Sequence, residues 1–279
     1  MDLIQAGPVR ERRLAGLAVD NIGCTDSRAP LLLLHGLSFD RRMWRPTLSR
    51  LQEMDPGRRI LAIDLPGHGG SDDQASYDLD DVLETVHKAV TGAGLIAPVV
   101  VGHSGSALAA TVYAGRYPSR GVISVDRTLD ASGFGAFLGA NPERFRGPGF
   151  QDAWRRLFDS MEIDRLPAAA SALLRETSHP RQDVIDGYWR VALDGQADEF
   201  LGEVRDATSV LAHDGTPYRL IAGVNPGPAY RAWLRRELPQ AVVEVWPMSG
   251  HFPHLAHPDR FARRLAATAS WGVVNRRVA

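Results

Sequence analysis

The stretch VVVGHSGSALAA, residues 99–110, joins an apolar run to a turn of small residues centred on Ser104. Its β-branched residues 99–101 predict a buried strand, and the small residues 107–110 predict the start of a helix. A serine at the apex of a sharp strand-to-helix turn exposes its hydroxyl, and its neighbours have to be small. The stretch therefore predicts a nucleophile elbow with Ser104 as the nucleophile. A plain glycine-rich turn is the alternative.

The elbow also predicts where negative charge would be stabilised. Ser104 would lie at the N-terminus of the following helix, where free backbone N–H groups and the helix dipole favour an anion. The N–H group of Gly105 is therefore a candidate oxyanion donor. The turn departs from the G-x-S-x-G pattern at its last position, where Ser106 stands in place of glycine.

Apolar runs of strand length recur along the chain and alternate with helical patterns, which is typical of an α/β fold. Because the runs are continuously apolar, we expect strands buried on both faces, in a mostly parallel sheet flanked by helices. The opening segment, residues 12–23, predicts an edge strand or a hairpin. The runs are LLLLHG (31–36), RILAID (59–64), PVVVGH (98–103), GVISVD (121–126), YRLIAGV (218–224) and AVVEVW (241–246).

Residues 127–216 interrupt this alternation with several helical patterns and no convincing strand. Such an insertion predicts a helical cap of residues 127–216 on a core domain of residues 1–126 and 217–279. Its aromatic side chains either form an apolar ceiling over the site or simply fix the cap to the core. They are Phe150, Trp154, Phe158, Tyr188 and Trp189.

Composition narrows the class of partner. The 279 residues include 32 basic and 33 acidic ones, for a net charge of -1, so no basic field is available for nucleic acid or an anionic membrane. Cys24 is the single cysteine, no metal-ligand spacing is present, and no apolar run has the length of a signal or membrane segment. We expect a cytoplasmic monomer or homodimer that acts on a small molecule without cofactor or metal.

A serine hydroxyl needs a base to become nucleophilic, and the base needs a carboxylate to orient it. His251 lies in WPMSGHFPHLAHPDRFARRLA, between the last predicted strand and the last helix, where a loop returns to the carboxyl edge of the sheet. It is the candidate base. His254 and His257 share the loop and are the competing histidines.

The carboxylate that orients the base is expected at the carboxyl end of a strand. The run YRLIAGV is followed by Asn225 and then prolines and glycine, without a carboxylate. The run GVISVD ends in Asp126, and Asp130 follows four residues later. A carboxylate at a strand end beside the elbow is held rigidly enough to orient an imidazole, which favours Asp126. Its alternative roles are pairing with Arg127 or capping the next turn, and Asp130 stays an open choice.

The order Ser104, Asp126, His251 is that of nucleophile, acid and base in α/β-hydrolases, and nearly the whole chain resembles this superfamily. The resemblance implies the α/β-hydrolase fold, with a helical cap between its sixth and seventh strands. LLLLHGLSFD resembles the superfamily's HG segment, which implies that Leu37 supplies a second oxyanion-hole N–H beside Gly105. DLPGHGGSD (64–72) resembles a structural loop of the family.

Residues beside these groups are the candidates for substrate contact. They are Ser38, His103 and Phe252, together with Phe150, Trp154 and Trp189 of the predicted cap.

The acid after the sixth strand narrows the resemblance to two subgroups. GHFPHLAHPDRFA is similar to the corresponding segment of zearalenone-lactonase-like hydrolases and of cofactor-independent dioxygenases. The first subgroup implies cleavage of an ester or lactone through an acyl-enzyme, with acyl transfer or thioester cleavage as variants. The second implies a His251–Asp126 base and direct reaction of the substrate anion with oxygen. A ligand-binding member with slow turnover is the non-enzymatic alternative.

Overall fold

The computed structural model describes residues 12–272, and its strands form one sheet. The strand order is β1-β2-β4-β3-β5-β6-β7-β8; β1 and β2 run antiparallel to their neighbours, and the remaining pairs are parallel. The strands are β1 (Arg12–Leu14), β2 (Leu17–Ile22), β3 (Leu31–Leu34), β4 (Ile60–Ile63), β5 (Val99–His103), β6 (Gly121–Val125), β7 (Tyr218–Ala222) and β8 (Val242–Val245).

The mostly parallel sheet predicted from the apolar runs is confirmed. The central strand β3 is fully buried along its length, as expected for a strand covered on both faces. The edge strand β8 is partly exposed because only β7 pairs with it. The opening segment forms the hairpin β1–β2, one of the two predicted forms.

Twelve α-helices lie within residues 12–272. They are α1 (Arg45–Met54), α2 (Leu79–Gly92), α3 (Gly105–Arg116), α4 (Ser132–Gly139), α5 (Pro142–Arg146), α6 (Phe150–Ser160), α7 (Ala168–Thr177), α8 (Gln182–Leu193), α9 (Ala197–His213), α10 (Gly227–Glu237), α11 (Pro253–Ala256) and α12 (Pro258–Ala266). Short 3-10 helices occupy Arg41–Trp44 and Ile163–Arg165. No helix among these residues is long and apolar enough to cross a membrane.

The helices bury an apolar core on each face of the sheet. Helices α1 and α12 pack together over one face, where Trp44, Leu51 and Phe261 are fully buried. Helices α2 and α3 cover the other face with Val86 and Leu108. The edge that carries the candidate site residues lies between these layers, at the carboxyl ends of the parallel strands, where α/β sheets bind their ligands.

Helix α9 falls within the predicted cap but packs against α3 of the core. Gly115 of α3 permits this approach, because a Cβ added there would lie 2.7 Å from the Cβ of Ala207. Helices α4 to α8 make up the rest of the predicted insertion. The boundary of the cap at residue 216 stays a prediction, since α9 contacts both α3 and the helices α4 and α8.

This contact predicts opposite effects of the same substitution at two helical glycines. Gly115→Ala places a methyl group against α9, and we expect a loss of about 1–3 kcal/mol of unfolding free energy. Gly202→Ala, within α9, brings an added Cβ no closer than 3.8 Å to the Arg205 guanidinium. We expect this control to gain up to about 1 kcal/mol from helix propensity. Urea unfolding measures both, and equal changes would contradict the packing described.

Candidate active site

Ser104 is held in a strained backbone conformation between β5 and α3. Its φ is 56° and its ψ is -131°, a left-handed region that non-glycine residues rarely adopt. The Ser104 N–H donates to the Val125 carbonyl at 2.9 Å, which ties the turn to β6. Gly102 is required, because a Cβ there would lie 2.2 Å from the Ser106 carbonyl oxygen. The strand–turn–helix geometry of a nucleophile elbow is therefore present.

The other small residues of the turn differ in their roles. A Cβ added to Gly105 would meet nothing within 4 Å, so the protein itself does not demand glycine at this exposed position. The buried Ser106 hydroxyl donates to the His35 carbonyl at 2.5 Å. The serine that replaces the last glycine of the pattern thus fastens the elbow to the HG segment.

His251 and Asp126 form a hydrogen-bonded pair at the sheet edge. His251 Nδ1 lies 2.6 Å from Asp126 Oδ2, and Asp126 Oδ1 accepts the Gly223 N–H at 2.6 Å. Burial favours the neutral acid, but the His251 contact and the Gly223 N–H outweigh it and hold the pKa of Asp126 below its ordinary value. The carboxylate is therefore ionised at neutral pH and aligned on the imidazole.

Asp130, the alternative acid, has a different role. Its carboxylate accepts hydrogen bonds from the Ser132 N–H at 3.1 Å and the Ser132 hydroxyl at 2.7 Å, at the start of α4. Arg127 lies over the ring of Phe134, 5.1 Å from the centroid, instead of pairing with Asp126. Of the two aspartates weighed from the sequence, Asp126 is the one in contact with His251.

The backbone of His251 is held from two sides. Its N–H donates to the Met161 carbonyl of the insertion at 3.3 Å, and its carbonyl lies 2.9 Å from His103 Nε2. Burial lowers the pKa of His103 to about 3, so the ring is neutral and donates from Nε2 to this carbonyl. His103 therefore positions the candidate base. Its predicted contact with substrate stays a prediction.

Ser104 and His251 are not joined by a hydrogen bond. In the described part of the chain the Ser104 hydroxyl, which is half-buried, has no hydrogen-bond partner. Catalytic hydrogen bonds are often long in unliganded sites and tighten when substrate binds. The structure thus brings the candidate base and the candidate acid into contact and leaves the candidate nucleophile without a hydrogen bond.

Two backbone amides fit the predicted oxyanion hole. Within residues 12–272 neither the Leu37 N–H nor the Gly105 N–H donates a hydrogen bond. Gly105 begins α3, so the dipole of that helix adds to the attraction for negative charge. Ser38, beside Leu37, has φ 69°, and its carbonyl accepts the His179 N–H at 2.7 Å.

An apolar cluster from the insertion packs against Leu37, the residue that is predicted to supply an oxyanion-hole N–H. It consists of the buried Phe150, Trp154 and Ile185, with Leu37 and Trp189 packed against it. The Trp154 and Trp189 rings lie 6.0 Å apart, and Trp154 Nε1 is buried without a hydrogen-bond partner in the described structure. Three of the aromatic residues predicted to form a ceiling are therefore in this cluster.

The remaining predicted ceiling residues have other contacts. The Tyr188 hydroxyl donates to the Pro66 carbonyl at 3.0 Å, and its ring stacks on Tyr77, which fixes α8 to the core. Phe158 lies 6.3 Å from Phe39, which in turn packs edge-on against Phe252. Phe252 is fully buried in this structure. Its contact with substrate remains a prediction.

The competing histidines do not contact Asp126. His254 is fully buried, its ring lies 4.7 Å from Trp44, and neither nitrogen has a hydrogen-bond partner. His257 precedes α12 and packs edge-on against Trp246. Among residues 12–272 no group of three or more His, Cys, Asp or Glu side chains is arranged to hold a metal ion.

Four buried histidines predict that the fold loses stability in acid. Burial lowers the pKa of His35 to about 4 and those of His68 and His103 to about 3, and it lowers the pKa of His254 well below the ordinary value. The unfolded chain binds these protons below about pH 6.5, whereas the fold does not. The stability contribution is complete above about pH 6.5 and is lost as the pH falls toward 4.

His254→Leu tests this pH dependence. Each histidine that is neutral in the fold and charged in the unfolded chain contributes a slope of up to about 1.4 kcal/mol per pH unit. Removing His254, whose nitrogens have no partners, is expected to flatten the curve by that amount without a large loss at pH 7.5. Urea unfolding between pH 7.5 and pH 4.5 compares the two proteins. Parallel curves would contradict the prediction.

Comparison with known proteins shows which family the chain matches. Residues 31–264 match the model of the alpha/beta hydrolase family. The chain is 25% identical to a pimeloyl-(acyl-carrier protein) methyl ester esterase of Yersinia enterocolitica over 254 residues, 86% of this chain and 93% of that protein. It is 26% identical to the sn-1-specific diacylglycerol lipase ABHD11 of Mus musculus over 247 residues, 83% and 78% of the two chains.

Solved structures share the architecture at lower identity. AqdC, studied for recognition and ring-cleavage of the Pseudomonas quinolone signal, superposes with a TM-score of 0.77 at 17% identity, over 92% of this chain and 96% of that chain. The haloalkane dehalogenase DbeA of Bradyrhizobium elkani gives a TM-score of 0.67 at 21% identity, over 92% and 95%. Since the family model spans most of the sequence, the chain belongs to the alpha/beta hydrolase family.

Proposed function

We propose that this protein is a serine hydrolase that cleaves a carboxylic ester or lactone of a small, mainly apolar molecule through an acyl-enzyme. The observation that carries the proposal is the 2.6 Å contact between His251 Nδ1 and Asp126 Oδ2 at the sheet edge that bears the Ser104 elbow. A histidine held in this way by an ionised carboxylate has its Nε2 free to act as a general base.

In the proposed reaction Ser104 Oγ attacks the carbonyl carbon and its proton moves to His251 Nε2. Asp126 accepts the Nδ1–H and stabilises the charged imidazole. The carbonyl oxygen becomes an oxyanion, to which the Leu37 and Gly105 N–H groups donate. Collapse of the intermediate breaks the carbon–oxygen bond, and His251 returns the proton to the leaving alcohol. A water molecule, deprotonated by His251, then attacks the acyl carbon; the bond to Ser104 Oγ breaks, the carboxylic acid leaves, and His251 returns the proton to Ser104 Oγ.

Two features support an apolar ester as the substrate class. Phe150, Trp154 and Trp189 pack above Leu37 and present little charge. The unpartnered Trp154 N–H is the donor that we propose for a polar atom of the substrate, because a buried donor without a partner is costly. The names of the two sequence relatives, an ester esterase and a lipase, both describe ester cleavage.

Pre-steady-state hydrolysis tests the proposal. A series of p-nitrophenyl esters of increasing acyl length, and a fluorogenic lactone, would each be mixed in excess with the enzyme and followed in the first seconds. We expect a burst of p-nitrophenolate equal to the enzyme concentration, followed by slower turnover. A folded enzyme that releases no p-nitrophenolate above buffer with any ester or lactone would contradict the proposal.

A second candidate is a cofactor-independent dioxygenase, favoured by the absence of a hydrogen bond between Ser104 and His251 in the described structure. In it His251 would take the proton of an aromatic hydroxyl, and Ser104 would only bind substrate. Oxygen uptake with hydroxylated quinolones separates the candidates. Cytoplasmic location and a monomeric or dimeric state stay predictions.

A further inference from the structure

A cavity lies in the insertion, and Ser104, Asp126 and His251 are not among its lining residues. It has a volume of about 460 Å³, within the range of small-molecule sites, and we call it the cap cavity. Its lining comes from α4, α5, α6 and the turn before α6, and it includes Phe137, Phe145 and Leu157.

Two arginines in the lining have no protein partner. Within the described residues, neither Arg144 nor Arg156 forms an ion pair or a side-chain hydrogen bond. Asp152, which also lines the cavity, is already paired with Arg155 at 2.9 Å. Both arginines are exposed to solvent. A guanidinium binds a carboxylate through two parallel hydrogen bonds, so each of them is available to an anionic group of a ligand in the cavity.

Apart from Asp152 and Ser160, the rest of the wall is apolar, and it is partly open to solvent. Phe137 is 42% exposed, and its ring lies 6.1 Å from that of the buried Phe145. An apolar wall beside two cations is complementary to a molecule with a carboxylate at one end and a hydrocarbon body.

We propose that the cap cavity binds an amphipathic carboxylate, with the carboxylate on Arg144 and Arg156 and the hydrocarbon against Phe137 and Phe145. This goes beyond the proposed hydrolysis, because no residue of that reaction takes part. Leu157 also packs in the cluster that contains Leu37 and Trp154. The Leu157 side chain would therefore lie between the ligand and that cluster.

Calorimetric titration with decanoate tests the proposal on the full chain. We expect saturable binding of one decanoate per chain, and at least about tenfold weaker binding for the double variant Arg144→Gln/Arg156→Gln. Decanol and acetate, which lack one half of the ligand chemistry, are expected to bind at least about tenfold more weakly than decanoate. The control Arg165→Gln/Arg205→Gln removes the same charge outside the lining and is expected to bind decanoate as wild type does.

A blocking variant and a blocked active site complete the test. At Gly149 a Cβ would meet nothing within 4 Å and φ is -78°, so Gly149→Leu can extend into the cavity without backbone strain. We expect it to lose decanoate binding while its thermal unfolding midpoint stays within a few degrees. Protein treated with a fluorophosphonate is expected to bind decanoate unchanged, whether or not Ser104 reacts.

Three results would overturn the proposal. The first is no saturable binding of decanoate to the wild-type chain at millimolar concentration. The second is equal affinity in the Arg144→Gln/Arg156→Gln variant and its control, which would exclude the arginines. The third is loss of binding after fluorophosphonate treatment, which would place decanoate in the active site. Failure of ester hydrolysis would leave the first two readouts intact, since neither depends on a reaction of Ser104.

Discussion

Ser104→Ala is expected to lower the rate of ester hydrolysis by at least about a thousandfold, with little change in KM. The variant retains the aligned His251–Asp126 pair and the free Leu37 and Gly105 amides, but no atom remains to form the acyl-enzyme. The burst of p-nitrophenolate disappears along with the steady-state rate. Stopped-flow and steady-state assays with the best ester of the series measure both.

Ser106→Ala is the matched control for this prediction. It removes a neighbouring hydroxyl of the same turn, the one that donates to the His35 carbonyl. We expect a loss of about 1 kcal/mol of unfolding free energy and a change of less than about tenfold in kcat. If Ser104→Ala kept most of the activity, Ser104 would be a binding residue, as the dioxygenase candidate requires.

Asp126→Asn is expected to reduce kcat by about ten-thousandfold, because the amide favours the wrong tautomer of the imidazole and cannot stabilise its charge. The Gly223 N–H still has an oxygen to donate to, so the loop is expected to keep its place. Steady-state kinetics together with near-ultraviolet circular dichroism separate the chemical effect from a folding defect.

Asp130→Asn controls for removal of a nearby carboxylate. The carboxylate of this residue accepts two hydrogen bonds from Ser132 at the start of α4, and the side-chain oxygen of an asparagine can accept them as well. We expect kcat within about threefold of wild type and a stability change below about 1 kcal/mol. Equal losses from Asp126→Asn and Asp130→Asn would mean that neither aspartate is the specific partner of His251.

The parts of the site that were predictable from the sequence are those with a local signature. The Ser104 elbow follows from a strand, a run of small residues and a helix start that are contiguous. His251 follows from its place between the last strand and the last helix. The position of Asp126 at a strand end favours it over Asp130 as the acid, and Asp126 is the one of the two that contacts His251. The sheet was predictable because buried parallel strands are continuously apolar.

Contacts between segments that are distant in the sequence could not be predicted from local sequence patterns. His103 and the carbonyl that it holds are 148 residues apart, and nothing local in GHSGS indicates that its ring is turned toward the His251 loop. The packing of α9 on α3 depends on Gly115 meeting Ala207. Helix α9 itself was detectable, since Leu201, Val204 and Leu211 recur at helical spacing, but the core position of the helix was not.

The hydrogen bond from the His251 N–H to the Met161 carbonyl links the insertion to the chemistry. Together with the His103 contact, it fixes the backbone on both sides of the base. A movement of the turn after α6 would therefore change the position of the imidazole. We therefore propose that the predicted cap helps to align the candidate base.

The central claim is that Ser104 is an activated nucleophile, and covalent labelling tests it without knowledge of the substrate. The purified protein and its Ser104→Ala variant would be treated with a fluorophosphonate and followed by intact mass. We expect one adduct per chain, mapped to Ser104, in the wild type and none in the variant. A folded wild-type protein that stays unlabelled, or a variant labelled as fast as the wild type, would contradict it.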